Sequence, residues 1–166
     1  MVAFNNYHTH KVSQLIIPKT GYTTITNTLG LDRDREEFAR YESFCVIRNP
    51  KDRILSAYHE ALRRGTFKGS LLECMQKIKE TGYMDNHLFP ATYYYTPVDH
   101  VFVFPDFQSV SRWLQVEITT HDNKTETKID QWTDESYDLF EEIYQEEIEW
   151  YGQTYIDRVG QLIETL

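Results

Sequence analysis

The residues best suited to chemistry gather early in the chain. Lys19, Thr20, Gly21, Tyr22, Thr23 and Thr24 follow the apolar run Ser13–Pro18, where an extended segment gives way to a helix. Successive backbone N–H groups at such a junction form an anion site. Gly21 lets the chain approach the anion closely or take a positive φ. Lys19 adds a mobile charge, and Thr20, Thr23 and Thr24 add hydroxyl donors. The glycine-first Walker pattern G-x-x-x-x-G-K-[ST] is absent, so this is a phosphate-type loop of another kind. Arg48 ends a second apolar run, Ser43–Arg48, where a guanidinium is costly without a partner. Its planar fork suits a phosphate bidentately. Ser56, two turns into the next helix, offers a hydroxyl on the same face. Together the two segments read as a clamp for two anionic groups. Asp52 and Arg53 read as a source of local structural pairs.

These residues need elements to hold them. Residues 13–18, 43–48 and 100–104 have the composition of short buried strands. Thr23–Leu29 reads as a helix closed by Gly30. Asn49-Pro50 caps a helix that runs to Arg63 or Arg64, with Ile54, Leu55, Tyr58, Ala61 and Leu62 on one stripe. Ser70-Leu-Leu-Glu73 is a capping box opening a helix that ends at Gly82. Residues 83–99 have loop chemistry rich in aromatics, Phe107–Leu114 forms a short helix, and Thr133 caps a long one over 133–151. The charged segment Arg33–Glu42 reads as a connector. Strands alternating with helices imply an α/β fold with a small, mainly parallel central sheet flanked by helices, three layers deep. Right-handed crossovers then open the loops after Ile17 and Arg48 onto one crevice.

A chain of 166 residues is about one domain by the usual length prior. A net charge of −9 argues against broad nucleic-acid binding, which needs a basic footprint, so any anion is bound locally in the N-terminal half. No apolar run reaches the ~20 residues of a membrane span, and the N-terminus lacks signal-peptide character; a cytoplasmic protein is expected. Cys45 and Cys74 fit no metal or redox spacing and read as two buried thiols. Asn123-Lys-Thr125 matches a glycosylation acceptor, without a secretion signal beside it.

The motifs carry a family resemblance. "IPKTGYTTI" resembles the 5′-phosphosulfate loop of sulfotransferases that use 3′-phosphoadenosine 5′-phosphosulfate (PAPS). "VIRNPKDRILSAYHEAL" resembles their 3′-phosphate segment. "DNHLFPATYYY", "VDHVFVFPDF" and "HDNKTETK…LFEEIYQEEIEWYG" resemble the His segment, the next strand and the closing loop and helix of the carbohydrate (Golgi-type) branch. The likeness runs from about residue 13 to about 151 and implies one P-loop-NTPase-like sulfotransferase domain over 1–166. Its nucleotide-binding core would span about 13–64, its acceptor-side loop about 83–99 and its closing helix about 133–151. The chain is short for the family, and Glu146-Glu147 stand where the family has an Asp.

The resemblance implies sulfuryl transfer from PAPS to a hydroxyl acceptor, a glycan among the candidates, with 3′-phosphoadenosine 5′-phosphate (PAP) as product and no metal. Lys19 would contact the phosphosulfate, residues 20–24 would cradle that phosphate, and Arg48 and Ser56 would hold the 3′-phosphate. A hydroxyl acceptor needs a proton acceptor. His87 matches the family's His segment and comes first, His59 second, and His8 and His10 third. Tyr93–Tyr95 would stack on an acceptor or pack in the core. Two other readings stay open: a P-loop kinase or phosphotransferase, and a non-catalytic PAP/PAPS-binding module.

Overall fold

The computed structural model describes residues 2–30, 32–119 and 132–164. The sheet begins earlier than the apolar runs indicate. Phe4–Tyr7 (β1) pairs antiparallel with Val12–Leu15 (β2), because the connection His8–Lys11 is too short for a crossover. Tyr22–Leu29 (α1) follows the anion loop. Arg33–Glu36 (β3) then returns as an edge strand, antiparallel to β1. Glu42–Ile47 (β4) lies parallel to β2, and His100–Val103 (β5) lies parallel to β4. The order is β3-β1-β2-β4-β5.

The α/β class therefore holds, but the sheet is mixed rather than mainly parallel. Its β2-β4-β5 side is parallel, and the β3-β1-β2 side is antiparallel. The connector expected over Arg33–Glu42 holds β3. Its charges do not prevent a strand, since an edge strand can carry them outward and they discourage edge-to-edge pairing.

Pro50–Arg64 (α2) starts on Asn49, whose side chain accepts from Lys51 N, with Pro50 in the first turn. Leu71–Thr81 (α3) has the full Ser70/Glu73 capping box. Short 3₁₀ turns occupy Asn86–Leu88 and Ala91–Tyr93. Phe107–Leu114 (α4) is capped by Asp106. Asp134–Glu164 (α5) extends well past the expected end at 151, with a break in helical geometry at Tyr144 (φ −111°, ψ 19°). The Tyr144 hydroxyl donates to Leu88 O at 2.6 Å.

Helices cover both sheet faces. Ile25, Leu29 and Val110 pack on Tyr7, Phe44 and Phe102. On the other face Ile17, Cys45 and Ile47 meet Ala91, Tyr94 and the Trp150–Tyr151 part of α5. A third cluster joins α2, α3 and α5 through Ile54, Tyr58, Met75, Phe140 and Tyr144. Both cysteines are free and buried, and burial pushes each thiol up to about 12, which keeps them neutral. Among the described residues no helix is long and apolar enough to cross a membrane. Asn123, His121 and the "HDNKTETK" segment lie outside the described residues.

Candidate functional site

Because β2 and β4 run parallel side by side, the loops after them open at the same sheet edge. There, as the crossover argument anticipates, the two halves of the clamp meet. Lys19, Gly21, Tyr22, Thr23, Arg48 and Ser56 line one cavity of about 170 Å³.

Aromatic rings pack close against the loop. Gly21 has φ +88°, and a Cβ built on it would lie 2.6 Å from Phe107 Cζ. Glycine is required there both conformationally and sterically. Gly21 also brings no side chain to cap the start of α1. Lys19 itself sits at φ 67°, a left-handed conformation that costs about 1–2 kcal/mol in a residue with a Cβ. Strain of this sort collects at functional loops.

Arg48 lies over the Phe104 ring at 4.4 Å and donates from Nη1 to Lys19 O at 3.1 Å. It thereby ties the two halves of the clamp together. Its Nε is buried with no hydrogen-bond partner, an uncommon and costly state for a cationic donor. Burial holds its pKa below the usual arginine value, against an opposing pull from Asp52. A cationic fork stacked on a ring with a spare buried donor is suited to an incoming anion.

Two of the predicted donors are committed elsewhere. Thr20 is buried and its hydroxyl donates to Ile17 O at 2.8 Å, closing the turn of the loop. Thr24 is fully buried and does not line the cavity, so the hydroxyl contribution narrows to Thr23 and Ser56. What Thr20 and Thr24 bring to the site is backbone shape.

The largest addition to the predicted set is Glu60. Its carboxylate lies 3.3 Å from Lys19 Nζ, 2.6 Å from Arg63 and 3.0 Å from Arg64. The Arg63 hydrogen bond leads in holding it down to about 2, with Lys19 adding to the effect against burial. Lys19 is lowered mainly by burial, and Glu60 opposes that shift. Glu60 thus occupies the lysine that an anion would engage. Helical spacing could have revealed it: Glu60 lies one turn beyond Ser56 and one turn before Arg64 on α2.

His87 stands where this cavity meets a larger one of about 730 Å³, since His87, Tyr22 and Arg64 line both. Its Nδ1 is 2.7 Å from Asp85 Oδ1, against 3.4 Å from Arg64 Nη1. The short contact to a carboxylate sets the tautomer: Nδ1 carries the hydrogen, donates to Asp85, and leaves the Nε2 lone pair available. Asp85 is buried, which raises its pKa. Hydrogen bonds from the His87 amide, the His87 ring and the Thr66 hydroxyl outweigh that and hold it below the usual carboxylate range. His59 is different. It lines neither cavity, its ring packs on Tyr58 at 5.3 Å, and its Nε2 is buried without a partner. Burial lowers its pKa, so it stays neutral inside α2's packing. His8 bonds Tyr41 on the far side of the hairpin.

The loop carrying His87 is held by an ion pair that replaces the local pairing expected of Arg53. Arg53 and Glu147 are fully buried, with Nε–Oε1 and Nη2–Oε2 both 2.7 Å. Arg53 also donates to His87 O at 3.2 Å and Phe89 O at 2.9 Å, while Glu147 accepts from Ala91 N at 2.9 Å. Every strong donor and acceptor of the pair is used, the condition under which a buried pair is tolerable. Glu147 is thereby given a role.

The larger cavity takes its aromatic wall from the 83–99 loop. Tyr93 is exposed and stacks on Phe89 at 5.0 Å, whereas Tyr94 is buried and Tyr95 packs on Trp150. Tyr93 and Tyr94 thus line the cavity, and Tyr95 belongs to the core. No family model, curated protein or solved structure matches the chain.

Proposed function

We propose that the protein transfers a sulfuryl group from PAPS to an acceptor hydroxyl, on a P-loop-like nucleotide core extended by the β1–β3 antiparallel unit. The observation that carries this reading is the convergence of Lys19, the uncapped start of α1, Arg48 and Ser56 on one cavity that shares His87 with a second, larger one. The spare buried Nε of Arg48 fits an anionic donor.

In this reading the acceptor approaches from the larger cavity. Its oxygen forms a bond to sulfur as the bond from sulfur to the bridging oxygen of the 5′-phosphate breaks. The electron pair leaves with PAP, whose developing charge is met by Lys19 and the α1 amides. The acceptor proton passes to His87 Nε2, and Asp85 holds the ring for that transfer. A sulfuryl group carries less charge than a phosphoryl group, so the step does not require a bridging cation. Positioning and electrostatics supply the acceleration.

Calorimetric titration tests this. PAP is expected to bind at micromolar concentration without metal, and Arg48→Ala and Lys19→Ala are each expected to weaken it by tenfold or more, about 1.4 kcal/mol. Absence of PAP binding would sink the reading, and binding only of ATP with Mg²⁺ would point to a phosphotransferase. PAP binding with no transfer from labelled PAPS across an acceptor panel, unchanged in His87→Ala, would leave a binding module.

A further inference from the structure

The wall of the larger cavity opposite the aromatic loop comes from the N-terminal hairpin and its edge strand, which the nucleotide motifs do not touch. Side chains alternate along a strand, and paired residues share a face. Arg33 stands opposite Tyr7, and Arg35 opposite Asn5. The face is fixed by the Tyr7 hydroxyl, which lies 2.7 Å from Thr26 Oγ1 on α1, and by Asn5, which donates to the same oxygen at 3.3 Å. Arg33 and Arg35 therefore stand on the α1 side. Asp34 between them also borders the cavity, but its carboxylate is engaged by His8 at 3.3 Å and Arg40 at 3.6 Å.

Both arginines line the cavity, and neither has a carboxylate within ion-pair distance among the described residues; Arg33 makes one bond, to Gly30 O at 3.2 Å. This is unusual placement in a chain of net charge −9, where acidic partners are plentiful and Arg40 next door is bound to both Asp34 and Glu36. Two unneutralised guanidinium groups on one wall focus a positive potential into the cavity. Asn5 and Thr26 supply polar lining, and the Tyr93–Phe89 stack supplies aromatic lining.

We infer that the acceptor carries its own anion: it is a ring compound bearing a hydroxyl and a carboxylate or similar group, of which a uronic acid glycoside is the simplest. Arg35 and Arg33 bind the anion, the Tyr93–Phe89 wall takes the ring, and the hydroxyl is left toward His87. The role as acceptor rests on the sulfuryl-transfer reading; the anion preference of the cavity does not.

The test is calorimetry with p-nitrophenyl-β-D-glucuronide and p-nitrophenyl-β-D-glucoside, on the free protein and on protein saturated with PAP. The glucuronide is expected to bind about tenfold or more tighter than the glucoside, as charge-assisted bidentate contacts allow. Arg33→Gln/Arg35→Gln is expected to abolish that difference while keeping the parent's melting temperature and glucoside affinity. Arg35→Glu alone, on an exposed edge position, is expected to invert it. Equal affinities, no binding of either glycoside, a difference that survives the double variant, or tighter binding of an acidic tyrosine peptide would each overturn the inference. Glucuronide preference without PAP binding would uphold it while removing the donor assignment.

Discussion

Glu60 sets the free state of the site. Between Lys19 and two arginines its pKa is held down to about 2, so it is ionised at neutral pH. An anionic donor must therefore displace a carboxylate from Lys19 while standing beside it. At contact distance in water-like surroundings that repulsion is about 1 kcal/mol. Glu60→Gln keeps the shape and removes the charge, so PAP is expected to bind about fivefold tighter, measured by calorimetry at fixed ionic strength. Weaker binding in the variant would assign Glu60 the opposite role, as the brace that aims Lys19. Tighter binding need not mean faster turnover: a lysine no longer held by Glu60 engages the donor earlier and discriminates less between ground state and transition state.

At the level of elements, α2 and α5 grip the His87 loop from two sides. Arg53 donates to the carbonyls of His87 and Phe89, Tyr144 to that of Leu88, and Glu147 accepts from Ala91 N. Glu147→Ala leaves a buried guanidinium uncompensated, and a loss of about 3–5 kcal/mol in urea unfolding is expected. Arg53→Met/Glu147→Leu removes both charges and is expected to recover most of that stability. The carbonyls of residues 87 and 89 still lose their donors in the double variant. Its turnover is therefore expected to fall while PAP affinity stays within about twofold, because the Lys19–Arg48 cavity does not depend on this clamp. Recovery of both stability and turnover would show that the pair serves folding alone. Elements of this kind explain what could be read in advance. Arg48, Ser56 and Lys19 were legible because strand ends and capped helices fix them locally, and Ser70/Glu73 formed its capping box as written. The Arg53–Glu147 pair was not, since its partners are 94 residues apart and nothing local links them. Strand β1 was hidden because Asn5 and Asn6 are polar yet buried, satisfied by Tyr7 on the same strand, Thr26 on α1 and Ser13 on β2. Strand β3 was hidden because an edge strand can be wholly charged.

Below neutral pH the shifted carboxyls and His59 pull in one direction. Asp85, Asp99 and Asp106 have depressed pKa values: their hydrogen bonds, to His87 and Thr66, Ser43 and Ser109 respectively, outweigh burial. Glu60 lies lowest, at about 2. A carboxyl depressed in the folded state binds fewer protons there than in the unfolded chain, so its stabilisation is present above the unfolded value and lost as pH falls through the folded one. His59 acts with the same sign at higher pH. Its folded pKa is lowered by burial, so stability begins to fall as pH drops through about 6.5, where the unfolded histidine takes up a proton. The urea midpoint is thus expected to decline first and gently near pH 6.5, then more steeply below about pH 4, where the unfolded carboxyls protonate. His59→Gln is expected to remove the first step and leave the second. The difference between the parent and Glu60→Gln, large at pH 7, is expected to close between pH 4.5, where an unperturbed glutamate titrates, and about 2. A gap that stayed constant through that interval would mean Glu60 is not ionised in its pairing with Lys19, and the account of the free site as a charge-occupied anion pocket would fail with it.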